Sequence, residues 1–195
     1  MDQQGDTLWT KGLAGPLALG GEIWDVKFTN AGDIVVAWLN HDEGQKITKV
    51  DGNGNFVWEA TYPFPSATLF NALAVDENDN IVAAGDMQSK LYFIKFDPAG
   101  NELWNSSIET TYNGVTTFDI VYVENGSFAF CGRQVGPQGY APLTGRLYSN
   151  GFIGLSDVEI TTDERPSGQL LGLTTTTDGG LAFIAKREPQ FGGFP

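Results

Sequence analysis

The stretch DGNGNFVW at residues 51–58 returns as DPAGNELW at residues 97–104. Each copy places a turn rich in Asp, Gly, Asn or Pro before a short segment that ends in tryptophan, and such turns join antiparallel strands into β-hairpins. An earlier copy, GDTLW at residues 5–9, and a later one, GFIGL at residues 151–155 with leucine in place of tryptophan, keep the pattern. Copies that recur about every fifty residues indicate a repeat architecture.

A second hairpin lies between successive copies of this motif. In the first repeat an alternating segment, WDVKF at residues 24–28, leads through NAGD at residues 30–33 into the apolar run IVVAW at residues 34–38. The matching apolar runs of the later repeats are residues 81–85, 128–132 and 181–185. A strand that is apolar without a break is typical of burial on both faces. Each repeat therefore predicts four strands, named A to D here, with strand B sandwiched.

Four-stranded sheets that repeat every forty to fifty residues are the sequence signature of a β-propeller. One small sheet cannot cover its own two faces, and neighbouring sheets, called blades, stack to do so. A β-sandwich would not repeat its turn and tryptophan at this interval, and no segment has the periodicity of a helical solenoid. We expect an all-β chain of about four propeller blades.

The repeat divides residues 1–195 into a leading strand D at residues 1–9 and four blades. The predicted blades are residues 10–58, 59–104, 105–155 and 156–195. The last one has no recognisable second hairpin, which leaves two interpretations: the leading strand closes a four-bladed ring, or the chain is a piece of a larger propeller. The absent hairpin and the GGFP ending favour the piece, whose exposed apolar faces then need a cover.

The charge balance limits the partners. The chain carries 24 acidic and 11 basic residues, a net charge of −13. Such a surface repels phosphate backbones and anionic lipid heads, so nucleic acid is not an expected partner. No apolar run approaches the roughly twenty residues that cross a bilayer, so membrane insertion is not expected either. The lone cysteine, Cys131, stands in an apolar run, which predicts a small buried core residue.

The unit Asp-x-x-Gly-Asn-x-x-Trp, present at residues 51–58 and 97–104, resembles the repeats of bacterial secreted β-propellers, in particular the SBBP and delta-60 type of Bacteroidetes. The resemblance covers about residues 5–185. It implies an extracellular or cell-surface setting, although the polar start of this sequence carries no signal peptide. The motif also resembles the quinoprotein repeat, but the fuller pattern of that repeat is missing, which argues against its cofactor.

Two acidic residues, Asp25 and Asp119, fall at the same position of strand A, where the other repeats have Ala72 and Gly172. Strand A is the innermost strand of a propeller blade and lines the channel. The two carboxylates are therefore candidates for binding a cation, or for acting as the acid and base of glycoside hydrolysis. A structural or solvated role is the stronger expectation for both.

A second candidate site is the oxygen-rich turn that contains Asp76, Asn78 and Asn80, which resembles a short calcium loop. It lacks a closing glutamate, and turn chemistry explains its composition better. The single histidine, His41, and the single cysteine match no metal-ligand spacing, and no nucleophile elbow accompanies His41. We predict no catalytic residue and no cofactor, with Ca²⁺ as the open alternative.

Two further sets of residues recur in register. The tryptophans of strand D recur and predict packing between blades: Trp9, Trp58 and Trp104. Lys49, Lys95 and Arg146 recur just before the turn. Long cationic side chains at such positions are expected to cover blade faces or to pair with acidic neighbours.

These patterns predict a non-catalytic β-propeller module of an exported or cell-surface bacterial protein, which presents its loops to a protein or a glycan. The alternative is a carbohydrate-active enzyme, a glycoside hydrolase or lyase, with carboxylates at the propeller channel. A third interpretation is a structural spacer whose blades stack on other domains of its parent chain or on copies of itself.

Overall fold

The computed structural model describes residues 7, 10, 21–63, 68–110, 114–136, 139–156 and 168–187. All the regular secondary structure in these residues is β-strand. The first eight strands are β1 (Gly21–Phe28), β2 (Ile34–Asn40), β3 (Gly44–Val50), β4 (Phe56–Tyr62), β5 (Thr68–Val75), β6 (Ile81–Met87), β7 (Lys90–Phe96) and β8 (Glu102–Ile108). The others are β9 (Val115–Glu124), β10 (Ser127–Gly136), β11 (Gly139–Leu147), β12 (Ile153–Ser156), β13 (Gly168–Thr175) and β14 (Leu181–Arg187). No long apolar helix that could cross a lipid bilayer occurs in this part of the chain.

The strands form antiparallel sheets that follow the order of the chain. Strands β1 to β4 form blade 1, β5 to β8 form blade 2, and β9 to β12 form blade 3, while β13 pairs with β14 in blade 4. The first strands of successive blades lie next to one another and form the inner side of the array. The prediction of an all-β chain built from four-stranded propeller blades is confirmed. Most of the predicted leading strand at residues 1–9 and the tail after residue 187 lie outside the described residues, and the division at residues 10–58, 59–104, 105–155 and 156–195 stays a prediction.

The core lies between blades rather than inside any one of them. Ala37 and Ile47 of blade 1 belong to one buried cluster with Phe70 and Leu73 of blade 2. Equivalent clusters join blade 2 to blade 3 and blade 3 to blade 4. Cys131 is fully buried in the last of these, as predicted, and burial raises the pKa of its thiol to about 12. Since each face needs a neighbour, the blades are stable only as a stack.

Strand B is sandwiched in three blades and open in the fourth. Strands β2, β6 and β10 are mostly buried, as their apolar sequences predict. The sequence of β14 is equally apolar, but its side chains from residue 181 to residue 186 are exposed. The prediction of a sandwiched strand is wrong for β14 because, among the described residues, no strand C pairs with it and no blade covers its far face.

The motif turn is closed by its first residue. Oδ1 of Asp51 accepts the N–H groups of Asn53 at 2.9 Å and Asn55 at 2.8 Å, and the amide of Asn55 donates to Oδ2 at 2.8 Å. Asp97 closes the matching turn of blade 2 in the same way. Hydrogen bonds from the paired asparagine hold the pKa of each aspartate below its usual value. The Asp and Asn of the repeat are therefore required by the turn itself.

The tryptophan that ends the motif joins one blade to the next. The indole N–H of Trp58 donates to the carbonyl of Pro98 at 3.2 Å, and that of Trp104 donates to the carbonyl of Ser149 at 3.0 Å. Both acceptors lie in the C–D turn of the following blade. The prediction of inter-blade packing is confirmed for these two tryptophans, while Trp9 lies outside the described residues.

Leu155 does not take the place of the tryptophan in blade 3. A bulge near the start of β8 sets Trp104 opposite Lys95, and blade 1 has the same arrangement. The pairing of β11 with β12 is regular, so Arg146 faces Gly154 instead, and Leu155 lies one position further along the strand. Aligning the sequences cannot detect this difference, because a bulge adds a residue to the strand without changing the motif.

Gly100 is the position at which the motif turn tolerates least change. It has φ of 89°, and a Cβ atom placed there would lie 2.7 Å from the indole ring of Trp58. Gly32 has nearly the same φ, 88°, with no atom within 4 Å of such a Cβ. Comparing substitutions at Gly32 and Gly100 therefore separates the cost of backbone strain from the cost of the steric contact with Trp58.

We expect Gly32→Ala to lower the free energy of unfolding by about 1–2 kcal/mol, which is the cost of an L-residue in the left-handed region. Gly100→Ala should cost about 1–3 kcal/mol more, because the Trp58 ring must also move away from the turn. Urea unfolding followed by tryptophan fluorescence measures both. Equal losses for the two variants would contradict the close contact between Gly100 and Trp58.

Candidate functional site

The four inner strands share an irregularity that aims side chains at the inner side of the array. Each carries a β-bulge at the same register position. The residue that follows the bulge is Asp in blades 1 and 3 and a small residue in blades 2 and 4. The bulged residues are Trp24, Asn71, Phe118 and Leu171. A bulge kinks the strand locally and redirects the neighbouring side chains. Nothing in the individual sequences marks these bulges, and only their recurrence in the pairing shows them.

Asp25 and Asp119, the predicted channel residues, follow two of these bulges and join neighbouring blades. Oδ1 of Asp25 accepts the N–H of Val26 at 2.7 Å, and its Oδ2 accepts the N–H of Leu73 in blade 2 at 2.8 Å. Lys27 lies 3.2 Å from the same Oδ2. Both oxygens of the carboxylate are therefore engaged.

Asp119 repeats this arrangement two blades later. Its Oδ1 accepts the N–H of Ile120 at 2.9 Å, and its Oδ2 accepts the N–H of Leu173 in blade 4 at 3.0 Å. Ala72 and Gly172, which stand at the same position in blades 2 and 4, have no carboxylate, and the N–H that follows each of them receives its acceptor from the blade before. The alternation of acidic and small residues therefore satisfies all four of these backbone donors with two aspartates.

This geometry supports the structural role that was the stronger expectation for both aspartates. The structure does not bring Asp25 and Asp119 together at one point: each belongs to its own blade and bonds to a different neighbour. Their use as a cation site or as an acid and base stays a prediction. It would require carboxylates that already accept two backbone hydrogen bonds each, one on each oxygen.

The predicted calcium turn is held by internal bonds. The carboxylate of Asp76 accepts the N–H groups of Asn78 at 2.9 Å and Asn80 at 3.0 Å, the amide of Asn80 at 2.9 Å, and the ammonium of Lys95 at 2.8 Å. Burial opposes ionisation here, but Lys95 and Asn80 outweigh it and hold the pKa of Asp76 below its usual value. A cation at this turn would have to displace the buried ammonium. Within the described residues no group of three or more His, Cys, Asp or Glu side chains is placed to hold a metal.

The pairing of Lys95 with the A–B turn recurs in the other complete blades. Lys49 lies 2.9 Å from Asp33 and also donates to the carbonyl of Pro98 at 3.0 Å. Arg146 lies 3.6 Å from Glu124. The prediction that these cations pair with acidic neighbours is confirmed. Each one ties strand C to the turn between strands A and B of its own blade.

The turns at this end of the blades, here called the lower end, also bind one another. The carboxylate of Asp79, a residue with φ of 60°, accepts the N–H groups of Asn30 at 2.6 Å and Ala31 at 3.1 Å. The amide of Asn30 donates to the carbonyl of Asp76 at 3.1 Å. These three hydrogen bonds between the A–B turns hold blades 1 and 2 together.

A different kind of cluster lies at the upper end, where strands A begin and strands B end. The guanidinium of Arg133 lies 4.0 Å from the ring centre of Tyr140 and 5.4 Å from that of Phe118. One of its N–H groups donates to Oε1 of Gln169, in blade 4, at 3.1 Å. We call Arg133, Phe118, Tyr140 and Gln169 the arginine clamp. The sequence drew no attention to it, because none of the four residues belongs to the repeated motif.

The arginine clamp has the chemistry of an anion-binding site. Two aromatic faces and one hydrogen bond orient the half-buried guanidinium, and no acidic side chain forms an ion pair with it among the described residues. A guanidinium held flat retains N–H groups that match the two oxygens of a carboxylate or sulfate. Because its position is already set by the protein, binding costs it little side-chain entropy.

Asp86 holds the same register position in blade 2 that Arg133 holds in blade 3, one residue after a strand B glycine that packs on strand A. It is half-buried, and burial raises the pKa of its carboxyl to about 6. The upper end therefore carries a proton-accepting group that titrates near neutral pH in one blade and a fixed cation in the next.

A pocket of about 690 Å³ opens between blades 3 and 4. Its lining includes Ala129 and Arg146 of blade 3 with Leu181 and Phe183 of blade 4. Nε of Arg146 is buried there and has no hydrogen-bond partner among the residues that the structure describes. The pocket lies beside β14, on the side where each complete blade carries strand C, so it reflects the open blade rather than a separately built site.

Stacked four-stranded blades with ties between neighbouring inner strands define this molecule as a β-propeller assembly, and solved structures agree. It resembles a protein of unknown function from Bacteroides caccae with a TM-score of 0.57 and 15% identity, over 86% of this chain and 54% of that one. It also resembles YCF48 from Cyanidioschyzon merolae with a TM-score of 0.54 and 8% identity, over 86% of this chain and 49% of that one. The chain thus spans about half the length of the structures it matches.

No protein-family model and no curated protein matches the chain. The likeness to solved structures establishes the fold. The resemblance of the repeat to the SBBP and delta-60 type therefore stays a prediction.

We expect Asp119→Ala to lower the free energy of unfolding by about 1–3 kcal/mol, because it leaves the N–H groups of Ile120 and Leu173 without their acceptor. Asp42→Ala removes an exposed turn carboxylate and should change stability by less than about 0.5 kcal/mol. Urea unfolding at neutral pH compares the two variants. The proposed tie between blades is wrong if both variants unfold at the same urea concentration.

We expect Asp86→Asn to stabilise the protein at pH 7.5 and to leave its stability unchanged near pH 4. Because the folded pKa of Asp86 is about 6, above its unfolded value, the folded state holds the proton longer, and stability falls as pH rises toward 6. The gain at pH 7.5 should be on the order of 1–2 kcal/mol, since one pKa unit corresponds to about 1.4 kcal/mol and the group is partly solvated.

The control for this experiment has the opposite sign. Hydrogen bonds from Asn101 lower the pKa of Asp97, so Asp97→Asn should destabilise the protein at pH 7.5. Urea titrations at the two pH values measure both variants. A loss of stability in Asp86→Asn at pH 7.5 would show that its carboxylate has a favourable partner.

Proposed function

We propose that this chain is a non-catalytic β-propeller binding module of an exported or cell-surface bacterial protein, and that its upper end binds an acidic group of a glycan or protein ligand. The arginine clamp carries this proposal. It is a preorganised cation between two aromatic rings, in a chain whose net charge is −13. Aromatic faces stack on sugar rings or side chains, and the guanidinium supplies the directional contact.

The engagement of the channel carboxylates supports binding rather than catalysis. The carboxylates of Asp25 and Asp119 each accept two backbone hydrogen bonds, one from the next residue of the same strand and one from the following blade. A general acid or nucleophile for glycoside hydrolysis has to exchange a proton or attack carbon during the reaction. Moving either carboxylate for this purpose would release the N–H groups that it satisfies.

The setting outside the cell is supported by composition and by the repeat. A strongly acidic surface suits a soluble module, and the motif at residues 51–58 and 97–104 resembles that of exported bacterial propellers. A module in this setting meets polysaccharides and other surface proteins, many of which carry carboxylate or sulfate groups. Both partner classes offer the planar, two-oxygen anion that a guanidinium recognises.

We expect the protein to bind uronate-containing or sulfated oligosaccharides, or acidic peptides, in preference to their neutral counterparts. Arg133→Gln should weaken this binding by about tenfold or more, because a charge-assisted hydrogen bond contributes about 1.5–3 kcal/mol. Lys90→Gln removes the same charge from an exposed ion pair with Glu109 and should leave binding unchanged. Biolayer interferometry against a panel of matched acidic and neutral probes measures the affinities.

Three results would argue against the proposal. Equal affinity for acidic and neutral probes would remove the role of the guanidinium, and equal weakening by Lys90→Gln would reduce it to net charge. Release of new reducing or unsaturated sugar ends by the protein, lost in Asp119→Asn, would favour the glycoside hydrolase or lyase instead.

A further inference from the structure

One edge of the stack exposes apolar side chains that the repeat elsewhere buries. Ile23, Val26 and Phe28 of β1 face away from blade 2, and their exposed fractions are 62%, 42% and 70%. We call these three residues the leading strip. Large apolar side chains clustered on one surface indicate an interaction site rather than ordinary solvent exposure.

The same positions are buried wherever a preceding blade exists. Phe70 and Leu73 of blade 2 correspond to Ile23 and Val26 in register, and both are 0% exposed against blade 1. In blade 4 the corresponding residues are Leu170 and Leu173, which are 3% and 7% exposed against blade 3. The leading strip thus corresponds to the receiving face of a blade junction, and no blade formed by the described residues covers it.

The opposite edge exposes the other half of such a junction. Ala182 and Ile184 of β14 face away from blade 3, and we call them the trailing strip. Ile184 is 70% exposed, whereas Ala37, Ala84 and Cys131, at the same register position in the first three blades, are all 0% exposed. The trailing strip is the face that a blade presents to its successor.

The junction between blades 3 and 4 shows how the two strips would meet. Ala129 and Cys131 pack there against Leu170 and Leu173. In the strand register, Ala182 and Ile184 of the trailing strip correspond to Ala129 and Cys131. Ile23 and Val26 of the leading strip correspond to Leu170 and Leu173. Both sides of the contact are apolar, as in the observed junction, with the larger Ile184 in the place of Cys131 and the smaller Val26 in the place of Leu173.

Polar groups at the same two edges are also complementary. Arg133 bonds to Gln169 across the junction between blades 3 and 4, and the corresponding register positions at the open edges are Lys186 and Glu22. In a junction between the two open edges, the ammonium of Lys186 would therefore face the carboxylate of Glu22, as Arg133 faces the amide of Gln169 between blades 3 and 4. Opposite charges at the edge of an apolar contact fix its register and orientation.

The alternation of aspartates continues across the same contact. Ala72 of blade 2 has no carboxylate that could accept a backbone N–H from blade 3. Blade 3 does not need one, because its own Asp119 accepts the N–H of Ile120. Asp25 satisfies the N–H of Val26 in the same way. Blade 1 is therefore suited to follow a blade with a small residue at this position, and blade 4 has Gly172 there.

We propose that two copies of this chain associate head to tail, with the trailing strip of each copy packed on the leading strip of the other. Two identical junctions close the pair and leave neither strip exposed, as a closed cyclic assembly requires.

The experiment is light scattering after size-exclusion chromatography, over roughly a hundredfold range of protein concentration. The protein should elute as a dimer at the higher concentrations. Val26→Glu and Ile184→Glu should each be monomeric, because each places a charge in one half of every junction. An equimolar mixture of the two variants should form a heterodimer through the one junction that both mutations leave intact.

Leu103→Glu is the matched control, because Leu103 is an apolar residue of strand D in blade 2 that is 51% exposed and lies at neither open edge of the stack. This variant should dimerise like the original protein. Circular dichroism shows whether each variant keeps its β-sheet, and Arg133→Gln should dimerise normally, which separates this proposal from the binding function.

Several outcomes would overturn the proposal. A monomer at every concentration means that blades of a longer chain, or another domain, cover the strips. Open-ended multimers mean that the ring does not close. If Ile184→Glu alone still dimerises, the contact joins two leading strips rather than one of each kind.

Discussion

A small sheet with two apolar faces cannot be buried by itself, and every other feature of this molecule depends on that constraint. The side chains of strand B point alternately to the blade before and the blade after, so the core forms only between blades. This arrangement makes the stack cooperative along its length. It also explains why β14 and β1, at the two ends, expose residues that the same repeat buries in the middle.

Polar groups secure the stack at three levels, each with its own partner. The tryptophan of strand D bonds to the next C–D turn at the outer side, and aspartates after the inner bulges bond to the next strand A. At the lower end the A–B turns of blades 1 and 2 interlock. The other residues that the repeat singles out bond within a motif turn, as Asp51 and Asp97 do, or pair within their own blade, as Lys95 does with Asp76. The arginine clamp differs because its cation retains hydrogen-bonding groups that no acidic side chain of the described residues uses.

The proposed function rests on which polar groups remain available to a ligand. Carboxylates that already accept two backbone hydrogen bonds are poor candidates for proton transfer, whereas a guanidinium held between two rings is prepared for an anion. The acidic surface does not conflict with this, because a fixed cation in acidic surroundings selects ligands by geometry as well as by charge. The proposed head-to-tail contact at the open edges would then decide the assembly in which the arginine clamp is presented.

Local patterns that repeat were enough to predict the all-β class, the four-stranded blade, the turn chemistry of Asp51 and Asp97, and the packing of Trp58 and Trp104. The same patterns placed Asp25 and Asp119 in register, but did not show their bonds to the next blade. The inner bulges, the exposure of β14 and the arginine clamp became visible only in the folded molecule. These depend on strand pairing and on contacts between residues far apart in the chain, which composition and spacing do not encode.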